Sequence, residues 1–83
     1  MIKKIFALRD QKIETFNQPI FLHTQGEAIR TLTDETKNAQ SLFNKHATDF
    51  DLYELGTYDD QNASFTLHPQ PLLVINIGSL VTE

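Results

Sequence analysis

The chain contains no cysteine, only three glycines and no lysine or arginine beyond Lys45. The missing cysteines exclude disulfides and thiolate metal sites, two of the usual reinforcements of a small domain. They also give no sign of an oxidising compartment, so a reducing cytoplasm is the expected setting. The few glycines, none adjacent, exclude a phosphate-cradling loop, and no G-x-x-x-x-G-K-[ST], G-x-G-x-x-G or G-x-S-x-G pattern occurs. The late absence of bases divides the chain electrostatically. Residues 1–48 hold all seven bases and five acids, a balance of +2, and residues 49–83 hold six acids and no base, a balance of −6. No apolar run approaches the roughly 18 residues that a membrane span needs. The opening MIKKIFALRDQ begins like a secretory leader, but Arg9, Asp10, Gln11 and Lys12 interrupt it, and it reads as a first strand. A soluble protein of the cytoplasm is expected.

With 83 residues, a single small domain follows, of a size that buries a modest share of its surface and often gains from oligomerisation. Ile2, Phe6 and Leu8 alternate with Ile5 and Ala7, the period of a strand apolar on both faces and therefore central. Residues 11–23 read as a connection packed onto the body, in which Pro19 argues against a central strand. Thr24 and Glu27 form a capping box ahead of Ala28, Ile29, Leu32, Ala39 and Phe43 at helical spacing, which predicts an amphipathic helix over 24–40. In DFDLYELGTYDDQNASFTLHP, residues 49–69, strict alternation places Phe50, Leu52 and Tyr58 on one face and Tyr53, Leu55 and Thr57 on the other. Gly56 marks a bulge or a close backbone approach. Asp59 to Asn62 supply turn chemistry, a second strand begins at Ala63, and Pro69 and Pro71 stop it. The expected fold is α+β: a single small domain in β-α-β-β order, with one amphipathic helix packed on a three- to four-stranded, mainly antiparallel sheet. The domain is expected over residues 1–71, with 72–83 an apolar C-terminal strand or an oligomerisation tail.

The chemistry that these residues support is limited. His23, His46 and His68 stand 23 and 22 residues apart in separate loops or strand ends, without the close ligand pairs of a zinc site, so solvent-facing or turn roles are expected and no metal or other cofactor is assigned. Asp49, Asp51 and Glu54 lie near strand ends, and Asp59 and Asp60 lie in a turn that favours Asp for backbone reasons. No serine stands in a nucleophile pattern with a histidine, so no catalytic residue is assigned and the protein is expected not to be an enzyme. Two binding readings remain. Lys3, Lys4, Arg9, Lys12 and Arg30 are the candidates for nucleic-acid contact. Phe16, Phe21, Tyr53 and Tyr58 are available for stacking if Lys3, Arg9 and Lys12 share the exposed face of the first strand. Leu72, Leu73, Val74, Ile75 and Ile77 are the candidates for oligomerisation.

Three segments carry a resemblance: KKIFALRDQKIETFNQP with Phe16-Asn17-Gln18-Pro19, GEAIRTL at Gly26–Leu32, and NKHATDFDLYELGTYDD at Asn44–Asp60. Together they resemble the small nonstructural DNA-binding protein of gokushoviruses, single-stranded DNA phages of the Microviridae, over about residues 2–72. Ala47 stands where that family usually has Pro after the histidine, and the C-terminal segment is more apolar than the family pattern. The resemblance implies a non-capsid phage protein of the host cytoplasm. It would bind single-stranded viral DNA and help shift genome replication toward single-strand production and packaging. It brings no active-site residue with it. The alternative is a homo-oligomeric interaction or assembly module that acts on phage or host replication proteins without touching DNA. In either case a homo-oligomer is expected, and no membrane partner.

Overall fold

A computed structural model describes residues 1–81. The alternating apolar residues at the start form β1 (Ile2–Asp10), and the connection after it contributes two short strands, β2 (Thr15–Phe16) and β3 (Ile20–Leu22). Helix α1 (Gln25–Thr36), the short helix α2 (Leu42–Lys45) and a single 3₁₀ turn at Ala47–Asp49 follow. The long hairpin of β4 (Phe50–Asp59) and β5 (Ser64–Asn76) comes next, and a 3₁₀ turn at Ile77–Leu80 ends the described chain. All pairings are antiparallel. β1 lies at the centre, with β4 along one side and β2 and β3 sharing the other, and β5 lies outside β4. The α+β class and the β-α-β-β order expected from the sequence are those observed, with two extra short strands in the segment read as a connection.

One face of the sheet holds the core. Phe6 and Leu8 of β1, Phe50 and Leu52 of β4, Ala28 and Leu32 of α1, Ala47 and Ile77 form one buried cluster. Phe6, Leu52 and Ile77 are fully enclosed, and each contributes about 1.5–3 kcal/mol by burial. Thr24 caps α1 as expected, its Oγ1 accepting the Glu27 N–H at 3.1 Å. Glu27 turns its carboxylate toward the His23 ring, at 3.7 Å. The helix ends at Thr36, short of the predicted residue 40. The run Thr31-Leu32-Thr33-Asp34-Glu35-Thr36 holds three β-branched residues with weak helix propensity, and Asn44 Nδ2 donates to the Thr36 carbonyl at 2.6 Å, satisfying it from outside the helix. Ala39 therefore lies in a turn. Phe43 sits on α2 and meets Phe50 edge to face at 4.9 Å.

The hairpin departs from strict alternation. Ile5 pairs with Gly56 but Phe6 pairs with Glu54, so Leu55 is an extra residue in β4. Across the hairpin, Gly56 pairs with Leu67 and Glu54 with Leu72, so His68, Pro69, Gln70 and Pro71 together stand opposite Leu55. The two prolines do not stop the strand as expected. They sit in a wide bulge on an edge strand, where no ladder hydrogen bond is required of them, and β5 continues to Asn76. A second irregularity leaves Val74 unpaired between Leu73 and Ile75. β5 thus runs across residues 71 and 72, and Ile77 follows it into the core. Asn76 holds this return: its Nδ2 donates to the Thr48 carbonyl at 3.0 Å and to Asp51 Oδ1 at 2.8 Å, and its Oδ1 accepts the Gly78 N–H at 2.9 Å. Thr82 and Glu83 of the predicted 72–83 segment lie outside the described residues.

Two substitutions test these backbone features. A Cβ at Gly56 would collide with the Thr66 carbonyl oxygen and stand 2.7 Å from Leu67 Cα, at a φ of 157°. Gly56→Ala is expected to lower stability by about 2–4 kcal/mol, read as a fall in the urea midpoint at unchanged slope. Ala63, placed by the sequence in the second strand, instead closes the turn with a φ of 57°. Ala63→Gly relieves that left-handed strain and is expected to raise stability by about 0.5–1 kcal/mol, after allowing for the greater freedom of glycine in the unfolded chain.

Candidate nucleic-acid interface

Antiparallel partners share a face, so the register alone defines what the sheet presents on the side away from α1. Lys3 stands beside Tyr58, Ala7 beside Tyr53 and Arg9 beside Asp51. Ile5 stands beside Phe21 and Arg9 beside Phe16. Phe65, Leu67 and Leu73 extend the rows through Tyr58, Gly56 and Tyr53. Five aromatic rings therefore occupy one face. They form two groups: Phe16 meets Tyr53 edge to face at 5.3 Å, while Tyr58 lies 4.8 Å from Phe65 and 5.6 Å from Phe21. Ile5 and Ala7 are buried beneath these side chains, while among the described residues α1 packs on the opposite face with Phe6, Leu8 and Leu52. Phe16, Phe21 and Phe65 remain exposed, with Phe65 at 59%.

Strict alternation put Tyr53 and Tyr58 on opposite faces. The extra residue at Leu55 resets the parity, and both rings reach the same side. The acidic hairpin consequently lies beside the basic strand in one sheet and supplies three of the five rings. Phe65, which the sequence reading did not single out, joins them. The signal was Gly56, whose bulge determines the face of every residue beyond it.

The candidate bases are divided. Lys3 and Arg9 lie on the aromatic face, each beside one ring group. Lys4 projects to the opposite face, where its Nζ lies 3.3 Å from Glu54 Oε1. Lys12 lies in the turn after β1 and, with Asp10, Leu42, His46, Asp49 and Phe50, lines an open cavity of about 350 Å³ at that end of the sheet. Arg30 is on the outer surface of α1. Among the candidates for oligomerisation, Leu72 and Leu73 are exposed on β5, Val74 and Ile75 pack against the core, and Ile77 is fully buried within it. The three histidines stand apart: His23 is near Glu27, His46 borders the cavity and His68 bonds Glu54. Among the described residues no three His, Asp or Glu side chains converge as metal ligands.

The acids near the aromatic face are already engaged. Asp51 accepts from Gln11 Nε2 at 2.6 Å and from Asn76 Nδ2 at 2.8 Å. Asp60 lies 2.6 Å from the Met1 ammonium and 3.9 Å from Lys3 Nζ. The ammonium hydrogen bond holds the Asp60 carboxyl below its ordinary value. On the other face Glu54 ties three strands together, meeting Lys4 of β1 and accepting from His68 Nε2 of β5 at 2.7 Å. Burial pushes the Glu54 carboxyl up, but the His68 hydrogen bond and the Lys4 ammonium outweigh it, and the net shift is downward.

A family model described as Phage ORF5 protein matches residues 3–80. No curated protein and no solved structure matches the chain.

The Glu54 cluster makes stability depend on pH. A carboxyl whose folded value lies below its unfolded value of 4.5 stabilises the fold fully above 4.5, and that contribution is lost as pH falls through the folded value. Asp60 acts in the same sense. The urea midpoint is expected to drop on the acid side of 4.5, and Glu54→Gln is expected to make that drop shallower while lowering the midpoint at neutral pH.

Proposed function

The chain belongs to the Phage ORF5 protein family, and from that premise we propose that it is a non-enzymatic phage protein that binds single-stranded DNA on the aromatic face of its sheet. The observation that carries this reading is the gathering of Lys3, Arg9, Phe16, Phe21, Tyr53, Tyr58 and Phe65 on one uncovered face. Rings accept the π-faces of bases whatever their sequence, and cations beside them neutralise the phosphates. Lys3 and Arg9 are six residues apart on one strand, about 20 Å at 3.3 Å per residue, a span suited to a few extended nucleotides. Duplex DNA does not offer unstacked bases to such a face. The biological role proposed with it, in keeping with the gokushovirus resemblance, is to engage viral single strands in the host cytoplasm and favour single-strand production and packaging.

A second reading, a homo-oligomeric module that acts on replication proteins, is supported by the apolar character of the same face. Leu67 and Leu73 are 63% and 61% exposed beside the rings, and a patch of this kind also suits a protein partner.

Two cations set the scale of the electrostatic part. Neutralising two phosphates gives a log–log salt slope of about −1.4 for single strands, far shallower than for a strongly basic binder. Fluorescence anisotropy with a labelled single-stranded oligonucleotide at low salt is expected to show binding in the micromolar range. Arg9→Gln is expected to reduce the slope by about 0.7, and Tyr53→Ala or Phe65→Ala to weaken binding by about 1–3 kcal/mol. Lys4→Gln and Arg30→Gln, away from the face, leave the affinity nearly unchanged. Absence of binding at tens of micromolar, or equal losses from Arg30→Gln and Arg9→Gln, rejects the reading.

A further inference from the structure

β5 is the sheet's long outer strand, hydrogen-bonded to β4 on one side and, among the described residues, to no strand on the other. Proteins usually protect such an edge with charged side chains, prolines or bulges. Charge is absent here: no Asp, Glu, Lys or Arg occurs from Gln61 to Thr82. Leu67, Leu72 and Leu73 are 63%, 51% and 61% exposed along the strand. What protection there is, the insertion of His68, Pro69, Gln70 and Pro71, lies in the middle. It leaves two uncharged arms, 64–67 and 72–76, on either side.

We infer that β5 pairs antiparallel with β5 of a second copy of this chain, joining two sheets into one. Three observations favour a second copy as the occupant. The β5 edge carries no charged residue from Gln61 to Thr82, so two copies of a chain of net charge −4 meet there without opposing like charges on the pairing strands. Neither arm carries a charge, and each has leucine exposed next to the insertion, Leu67 in one and Leu72 and Leu73 in the other, so a two-fold axis through the insertion sets the 64–67 arm of each copy beside the 72–76 arm of the other. That axis also places Pro69 and Pro71, which have no N–H to donate, where the ladder is interrupted anyway. Leu67 and Leu73 lie on the aromatic face, in register with Ile5 and Ala7 through Gly56 and Tyr53. They add apolar contact across the new junction. Because the axis is perpendicular to the sheet, both aromatic faces look the same way, and the dimer carries one platform of twice the length. An interface of this kind falls at the small end of stable contacts, so association in the micromolar range is expected. The inference rests on the strand edge and stands whether or not the face binds DNA.

Sedimentation velocity of the full chain without DNA, from low to several hundred micromolar, tests it. The mass is expected to rise from 9.5 kDa toward twice that value. Amide exchange at Ser64–Leu67 and Leu72–Asn76 is expected to slow over the same concentration range. Thr66 and Leu72 are exposed and face away from the rings. The double variant Thr66→Lys/Leu72→Lys is expected to remain monomeric with an unchanged circular dichroism spectrum. Mixing it with Thr66→Glu/Leu72→Glu is expected to restore the dimer, which a merely misfolded variant would not do. A wild-type chain that stays monomeric throughout overturns the inference. So does a dimer that forms without slowed exchange in the two arms, or that persists in the lysine variant.

Discussion

Gly56 carries no Cβ, and the backbone of β5 at Thr66 and Leu67 occupies the space where one would be. This close approach allows β4 to take an extra residue at Leu55 while remaining paired on both sides. The parity of the strand resets there, so Tyr53 and Tyr58 share a face despite their odd spacing. Opposite the bulge, β5 takes up four residues and absorbs two prolines that would otherwise end it. His68 belongs to that insertion, and its hydrogen bond to Glu54 fastens the irregular stretch to β4, with Lys4 of β1 completing the tie. Both the aromatic face and the ion cluster behind it depend on this irregularity.

The sheet is thereby given two unlike faces. One buries Phe6, Leu8 and Leu52 under α1 and Ile77, as expected of a small α+β domain. The other covers Ile5 and Ala7 with the side chains of neighbouring strands, and those side chains are themselves partly in solvent. A face built in this way stabilises the central strand and keeps aromatic surface available. Its charge is also arranged locally: Asp51 is held by Gln11 and Asn76, and Asp60 by Lys3 and the N-terminal ammonium. Asp60 is thus paired with cations, whereas Asp51, bonded only by neutral amides, keeps its charge beside Arg9.

Much of the fold was legible in the residues. Alternating apolar positions marked β1 as central, Thr24 marked the start of α1, and Gly56 marked an irregularity. The errors have local causes. α1 ends early because β-branched residues weaken its last turn and Asn44 takes the Thr36 carbonyl. β2 and β3 went unseen because two or three residues carry too little periodicity to register. Ala63 was assigned to a strand because alternation cannot show a positive φ. For the candidate interface, Lys3, Arg9 and four of the rings were named from charge and aromaticity. Alternation already sets Lys4 on the Phe6 and Leu8 side of β1, and charge alone groups Lys4, Lys12 and Arg30 with Lys3 and Arg9; that Lys12 lies in a turn and Arg30 on the far side of the sheet depends on tertiary placement.

The sequence by itself determined the inventory: an α+β chain without cysteine, bases confined to the first half, a capped helix, a hairpin with turn chemistry, and an uncharged stretch near the end. These are consequences of residue type and short-range spacing, which act over a few residues. Only the tertiary structure decided that the basic strand and the acidic hairpin are neighbours in one sheet, that five rings share a face, and that Ile77 returns to the core while Leu72 and Leu73 stay outside. Each of these depends on pairing register, and a one-residue bulge reverses the face of everything beyond it. The missing side chain at Gly56 leaves room for the β5 backbone and so permits that register, which joins residues distant in the chain.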